Sequence, residues 1–154
     1  MNWIRRGLTR LAGDRAGNFA IEFAMALPVL TLLVMGLVDL GRFSMQKSAM
    51  LQGAQEGAQY GSFNPNDMPG TQSTAQNATG LPGVTASSSL VCECTFGTTV
   101  NCASTCSGGT QPKKYVQVTT SKAFSSVMSK PGVGGFAVWT LPSTVSATVT
   151  MICP

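Results

Sequence analysis

From Phe23 to Val38 the chain carries no charged residue, and this run constrains the fold more than any other feature. With residues 18–22 before it and 39–43 after it, a helix rising 1.5 Å per residue would cover about 39 Å, enough to cross roughly 30 Å of hydrocarbon. One membrane span over residues 18–43 is therefore predicted. Ahead of it, Arg5, Arg6, Arg10 and Arg15 stand against a single acidic residue, Asp14. The positive-inside rule then keeps the basic leader, residues 1–17, in the cytoplasm and exports the rest. A secretory signal peptide shares the basic start and apolar core, but its cleavage site is missing: the Ala24-Met25-Ala26 triplet lies at the beginning of the run, and Asp39-Leu40-Gly41-Arg42-Phe43 closes it.

Glu22 stands at the mouth of the span. On the translocon scale an acidic side chain at a helix centre costs about 2.5 to 3.5 kcal/mol, so a partner is expected for it, either on a neighbouring subunit or as an amine exposed by cutting between Gly17 and Asn18. The plainer alternative places Glu22 and Asp39 about 25 Å apart along the helix, each near one interface with no special partner. Asp39 precedes Arg42 by one helical turn, an ion-pair spacing worth about 0.2 to 0.5 kcal/mol, and is assigned anchoring alone.

Composition narrows the function. The chain has no histidine, which removes Ser-His-Asp and Cys-His catalysis and the commonest metal ligand. Beyond the span the acidic residues Glu56, Asp67 and Glu93 form no close pair of the kind acid/base chemistry uses. We therefore expect no enzyme, no cofactor and no metal. The formal net charge of +4 resides mostly in the leader, so it reports topology and gives no support for nucleic-acid binding.

After the span, residues 44–62 lack proline and continue the helix as a stem. Ala49, Gly53, Gly57 and Gly61 recur every four residues along it. Each interior glycine costs about 0.8 to 1.0 kcal/mol relative to alanine, so the stripe predicts close helix packing against a partner surface, the competing reading being a fraying helix end. If that partner is another subunit, Gly53→Leu should block assembly and leave the protein stable. Pro28 should kink the span. Residues 63–89, rich in Asn, Pro, Gly, Thr and Ser, are expected to be a long polar loop or linker.

Residues 90–154 read as a β-rich module. Leu90 to Phe96 and Val145 to Met151 alternate apolar and polar positions, and Tyr115 to Ser121 is a third strand. A short helix is expected over Lys122–Lys130 and a turn at Pro131–Gly135. The predicted fold class is α+β: one N-terminal transmembrane helix extended into a stem, then a small antiparallel sheet module, pilin-like in outline. All five cysteines, Cys92, Cys94, Cys102, Cys106 and Cys153, fall in this module. In an exported domain they favour disulfides. We expect nested bridges, Cys94 to Cys102 and Cys92 to Cys106, although spacing leaves three connectivities open for four cysteines. A four-thiolate zinc site is the competing possibility. Cys153 is left to be free, to pair between chains or to displace one of the four.

The segment Gly17-Asn18-Phe19-Ala20-Ile21-Glu22-Phe23-Ala24-Met25-Ala26-Leu27-Pro28, followed by the apolar run, Asp39-Leu40-Gly41-Arg42 and Ala54-Gln55-Glu56-Gly57-Ala58-Gln59-Tyr60, resembles the TadE-like family of pilus assembly proteins. The resemblance covers roughly residues 13–62. It implies a minor pseudopilin-like component of the tight adherence (Tad, or Flp-type) pilus machine, held in the bacterial inner membrane with its C-terminal module in the periplasm. The implied partners are other pilin-like subunits, Tad assembly platform proteins and a prepilin peptidase. Gly17 would precede the cut, Asn18 would be the new amino terminus, and Glu22 and Phe23 would complete the processing motif. The alternative is a permanently anchored periplasmic adhesion module, binding through the polar loop and the cysteine-stapled hairpin. A periplasmic thiol or zinc protein is a third.

Overall fold

A computed structural model describes residues 15–95, 97–127 and 141–154. Residues 1–14 of the leader, Phe96, the last three residues (128–130) of the helix expected over Lys122–Lys130, and the turn expected at Pro131–Gly135 lie outside the described residues. The chain divides into two units, Met1–Leu40 and Gly41–Pro154.

Helix α1 runs over Arg15–Phe63 and so joins the expected span and stem in one element. Its first part, within the N-terminal unit, is exposed on nearly every side: Phe19, Ile21, Phe23, Leu30, Leu33 and Leu37 all face outward. A helix that is apolar all round buries no stripe of its own, which is the pattern of a membrane span. By length and composition the helix is long and apolar enough to cross a membrane. The helix continues through Pro28, which cannot donate a backbone hydrogen bond, and Thr31 Oγ1 donates to the Leu27 carbonyl at 2.8 Å beside it.

The rest of α1 belongs to the C-terminal unit and is amphipathic. Met50, Gly53, Ala54, Gly57, Ala58, Gly61 and Ser62 are buried, while Leu51, Gln52, Gln55, Glu56, Gln59, Tyr60 and Phe63 are exposed. The helix stops where Asn64-Pro65 comes next, since the residue before a proline is driven out of helical geometry. Asn64 closes the end with its backbone N–H on the Tyr60 carbonyl at 3.0 Å.

Residues 63–89 are not the long loop expected. They hold helix α2, Met68–Ala78, and the start of strand β1, Thr85–Thr95. Asp67 caps α2: its side chain accepts the Gly70 backbone N–H at 2.9 Å. Gly80, with φ +62°, ends the helix in the left-handed conformation that glycine adopts without steric cost. The helix was hidden by its composition. Met68-Pro69-Gly70-Thr71-Gln72-Ser73-Thr74-Ala75-Gln76-Asn77-Ala78 opens with a proline and a glycine, is rich in Ser, Thr and Asn and nearly devoid of large apolar residues, so it carries no apolar stripe and reads as a loop.

Strands β1, β2 (Thr98–Val100), β3 (Lys113–Ala123) and β4 (Thr144–Ile152) form one antiparallel sheet in the order β2-β1-β3-β4. β3 extends through Lys122 and Ala123, where a helix was expected, and residues 124–127 are not helical either. The expected three strands and α+β class are present, with β2 added. One sheet face is covered. Val116, Val118, Thr120, Val145 and Ala147 are buried on it, and the stem and α2 complete the layer. One core cluster joins Met50, Ala54, Phe124, Val145 and Ala147; a second joins Ala58, Ala75, Val116 and Val118. Phe43 meets Phe124 edge to face at 5.4 Å between ring centres, and Thr120 Oγ1 donates to the Met50 carbonyl at 2.8 Å, tying sheet to stem.

Candidate functional site

The residues singled out in the sequence fall into three separate places. Gly17 and Asn18 lie in the helical backbone at the start of α1, and Glu22 and Phe23 are exposed one turn further on. Asp39 departs from expectation: placed by sequence at a wet membrane exit, it is only 2% exposed.

The glycine stripe has its partner inside the chain. A Cβ built on Gly57 would lie 2.6 Å from the Ala75 Cβ and 3.1 Å from the Thr71 carbonyl; one on Gly61 would lie 2.8 Å from Val116 Cγ1 and 2.9 Å from Thr71 Oγ1. At Gly53 it would meet the Thr79 methyl and, at 2.6 Å, the Ala75 carbonyl. Gly53, Gly57 and Gly61 thus oppose Thr79, Ala75 and Thr71 in reverse order. Two stripes of small residues, each with a four-residue repeat, let antiparallel helices approach until backbone meets side chain. Ala49, at the head of the stripe, is half-buried. The packing expected of this stripe is therefore intramolecular, and Gly53→Leu is a core substitution that cannot leave the protein stable. The signal for α2 was present as Thr71, Ala75 and Thr79, spaced to match the glycines, after Asp67 and before Gly80.

On the stem's opposite side Met45 and Phe63 are 76% and 70% exposed, with Gln52, Glu56 and Gln59 along the same line. Where the stem ends, Tyr60 donates its hydroxyl to Asp67 Oδ2 at 2.8 Å. Asp67 is held below the usual carboxylate range, first by the Gly70 N–H and then by the Tyr60 hydroxyl, and that same bond raises the Tyr60 phenol. This clasp fixes the turn between α1 and α2.

The cysteines pair differently from the nested arrangement. Cys92 bonds Cys102 and Cys94 bonds Cys106, with Cα separations of 5.1 and 5.5 Å, so the bridges interleave. The cause is β2. It sets Val100 opposite Cys92, and Cys102, two residues further on, bonds back to Cys92. The chain then coils through turns at Asn101–Ser104 and Cys106–Gly109, bringing Cys106 to Cys94. With these sulfurs bonded in pairs, the four-thiolate alternative is not realised. Cys153 is a free thiol, half-buried against the second core cluster, and burial raises its pKa, opposed by the nearby Lys114 ammonium.

The polar loop proposed for adhesion is accounted for in the same way: its centre is α2, and deleting it would remove a core element. What remains on the surface is the stapled hairpin, the open face of the sheet, the outer face of the stem and the apolar part of α1. No curated protein and no solved structure matches the chain. Residues 17–59 match the family model described as TadE-like protein.

Proposed function

We propose that the chain is a minor pseudopilin-like component in the assembly of a Tad/Flp-type adhesive pilus, without enzymatic activity or cofactor, anchored in the bacterial inner membrane with its C-terminal unit in the periplasm. The TadE-like segment supports a Tad pilus-associated protein. The finer reading rests on one observation: that segment coincides with a helix whose apolar side chains have no cover within the N-terminal unit. Lipid can cover them, and so can other pilin-like helices. The positive leader favours an exported C-terminal unit, and disulfides fit an oxidising compartment.

In this reading the glycine stripe is not the contact for other subunits, because α2 fills it. The face left for pilin-like subunits or assembly platform proteins is the outer stem face, with Met45, Glu56 and Phe63. Processing by a prepilin peptidase after Gly17 would free the amine of Asn18 and bring it within a turn of Glu22. Deleting the gene and restoring it in trans tests the assignment. Loss of surface pili and of adherence, restored by the wild type, is expected; normal piliation in the deletion strain would overturn it. Intact mass of the membrane-extracted protein, with and without the cognate peptidase, decides the cut. Loss of residues 1–17 supports processing, and a full-length mass in both strains assigns a permanently anchored assembly factor.

A further inference from the structure

Charge is unevenly placed in the C-terminal unit. Its acidic residues are Glu56, Asp67 and Glu93, and its basic ones are Arg42, Lys47, Lys113, Lys114, Lys122 and Lys130. Among the described residues of the unit, one end gathers cations alone. Lys47, on the first turn of the stem, donates to the Ser146 carbonyl at the start of β4, and Lys122, near the end of β3, donates to the Pro82 carbonyl in the turn before β1. The ladder register puts these elements at one level: Thr85 pairs Ser121, Ser121 pairs Ser146, and Lys122 pairs Val145. Arg42 is exposed on the turn of α1 before Lys47. The acids lie elsewhere. Glu56 is about 13 Å further along the stem than Lys47, Asp67 caps α2 beyond the stem's far end, and Glu93 pairs Lys113 at the opposite end of β1.

Neither lysine is neutralised. Among the described residues each has one backbone carbonyl as its partner and no carboxylate, so two of the three N–H groups on each ammonium are left for an anion. Residues 128–140 carry Lys130 and no acid, so the sign of this end holds with them counted. The same end carries Phe43, Leu81 and Leu141, which are half-buried against the first core cluster and leave part of each side chain outside it.

Chain connectivity keeps this end close to a bilayer. Val38, the last residue of the uncharged run, is followed by only Asp39, Leu40 and Gly41 before Arg42. That stretch reaches at most about 14 Å when fully extended, so the bound holds however the two units are arranged. Cations beside half-buried apolar side chains, tethered within that reach of hydrocarbon, are complementary to a layer of phosphates over acyl chains. We propose that this end of the C-terminal unit is a binding surface for anionic phospholipid, in which Lys47 and Lys122 take headgroup phosphates of the bilayer that α1 crosses. Arg42 adds charge where α1 enters the unit, and Phe43, Leu81 and Leu141 supply the apolar contact. The inference rests on the membrane-span reading of α1 and stands apart from the pilus assignment and from the direction of export.

The test places the full chain in vesicles of equal phosphatidylglycerol and phosphatidylcholine, with p-benzoylphenylalanine in place of Thr144, exposed at the start of β4, or of Thr150, about 20 Å along the same strand. Irradiation should yield lipid adducts at position 144 and few at 150. By mass, those at 144 should favour phosphatidylglycerol by about fivefold or more, the effect of one cation near an anionic surface. Lys47→Gln with Lys122→Gln should return the adducts to the ratio of the mixture. Lys113→Gln with Lys114→Gln removes the same charge at the other end and should leave the preference intact. Lys47→Arg with Lys122→Arg should keep it as well, which separates a lost phosphate contact from a misfolded chain. No lipid adduct at 144, equal capture of the two lipids, a preference indifferent to the Lys47 and Lys122 glutamine pair, or an equal loss from the Lys113 and Lys114 pair would overturn the inference. A chain that stays out of the vesicles would defeat the membrane span and this inference together. An inserted chain whose adducts ignore the lysines defeats the inference alone, and neither result bears on piliation.

Discussion

One helix has two unlike parts. Over Phe19–Val38 nearly every residue of α1 is exposed and most are large and apolar; over Met50–Ser62 the same helix buries a narrow stripe of glycine, alanine, serine and methionine and exposes glutamine and glutamate. In the first part the bulk lies on all sides, so no single packing partner is specified. In the second, the side chains that matter are those that are missing. The contrast teaches that small residues in a chain of this kind need not face another subunit: the short polar helix next in sequence takes the site first.

The contrast breaks most strongly at Gly57. Gly57→Leu would drive a side chain into Ala75 and Thr71, and overpacking of this kind costs about 3 kcal/mol or more. The full chain in detergent should lose its cooperative melt, while Leu33→Ala, in the exposed apolar part of α1, should leave the melting of the C-terminal unit unchanged. Next comes the stapled hairpin. Replacing Cys92 and Cys102 together by alanine should cost about 2 to 3 kcal/mol, and non-reducing peptide mapping of the wild type should return Cys92–Cys102 and Cys94–Cys106. A Cys94–Cys102 peptide would contradict the strand register. Thr120→Val removes the buried bond to the Met50 carbonyl and should cost about 1 kcal/mol, read as a lowered denaturation midpoint.

The smallest effect is expected at the turn between α1 and α2. Folding lowers the Asp67 pKa, so its contribution is present above the ordinary carboxylate pKa and fades as pH falls through the lowered value. Folding raises the Tyr60 pKa, so its contribution is present below the ordinary phenol pKa and fades as pH climbs through the raised value. Tyr60→Phe should abolish the alkaline loss and weaken the acid one in melts recorded against pH. Unchanged profiles would show that the clasp is not formed in solution.

The site residues were legible to different degrees. Glycines at 53, 57 and 61 announced close packing by their cost to the helix, but a four-residue repeat is the same whether the partner is in another chain or in the next helix of the same one. The cysteines announced bridges, whereas their pairing hung on a three-residue strand and the turns after it, too short to leave a periodic signal. Asp39 was placed by charge at a boundary and turned out to be buried.

By itself the sequence determined the features that local chemistry sets: an uncharged run long enough for a bilayer, alternation that makes strands, and the ordered motif over which residues 17–59 match the TadE-like family model. The tertiary structure alone decided which small residues meet and which cysteines are neighbours. Those outcomes depend on contacts between residues far apart in the chain, where a shift of one position in register exchanges one partner for another and leaves composition and periodicity unchanged.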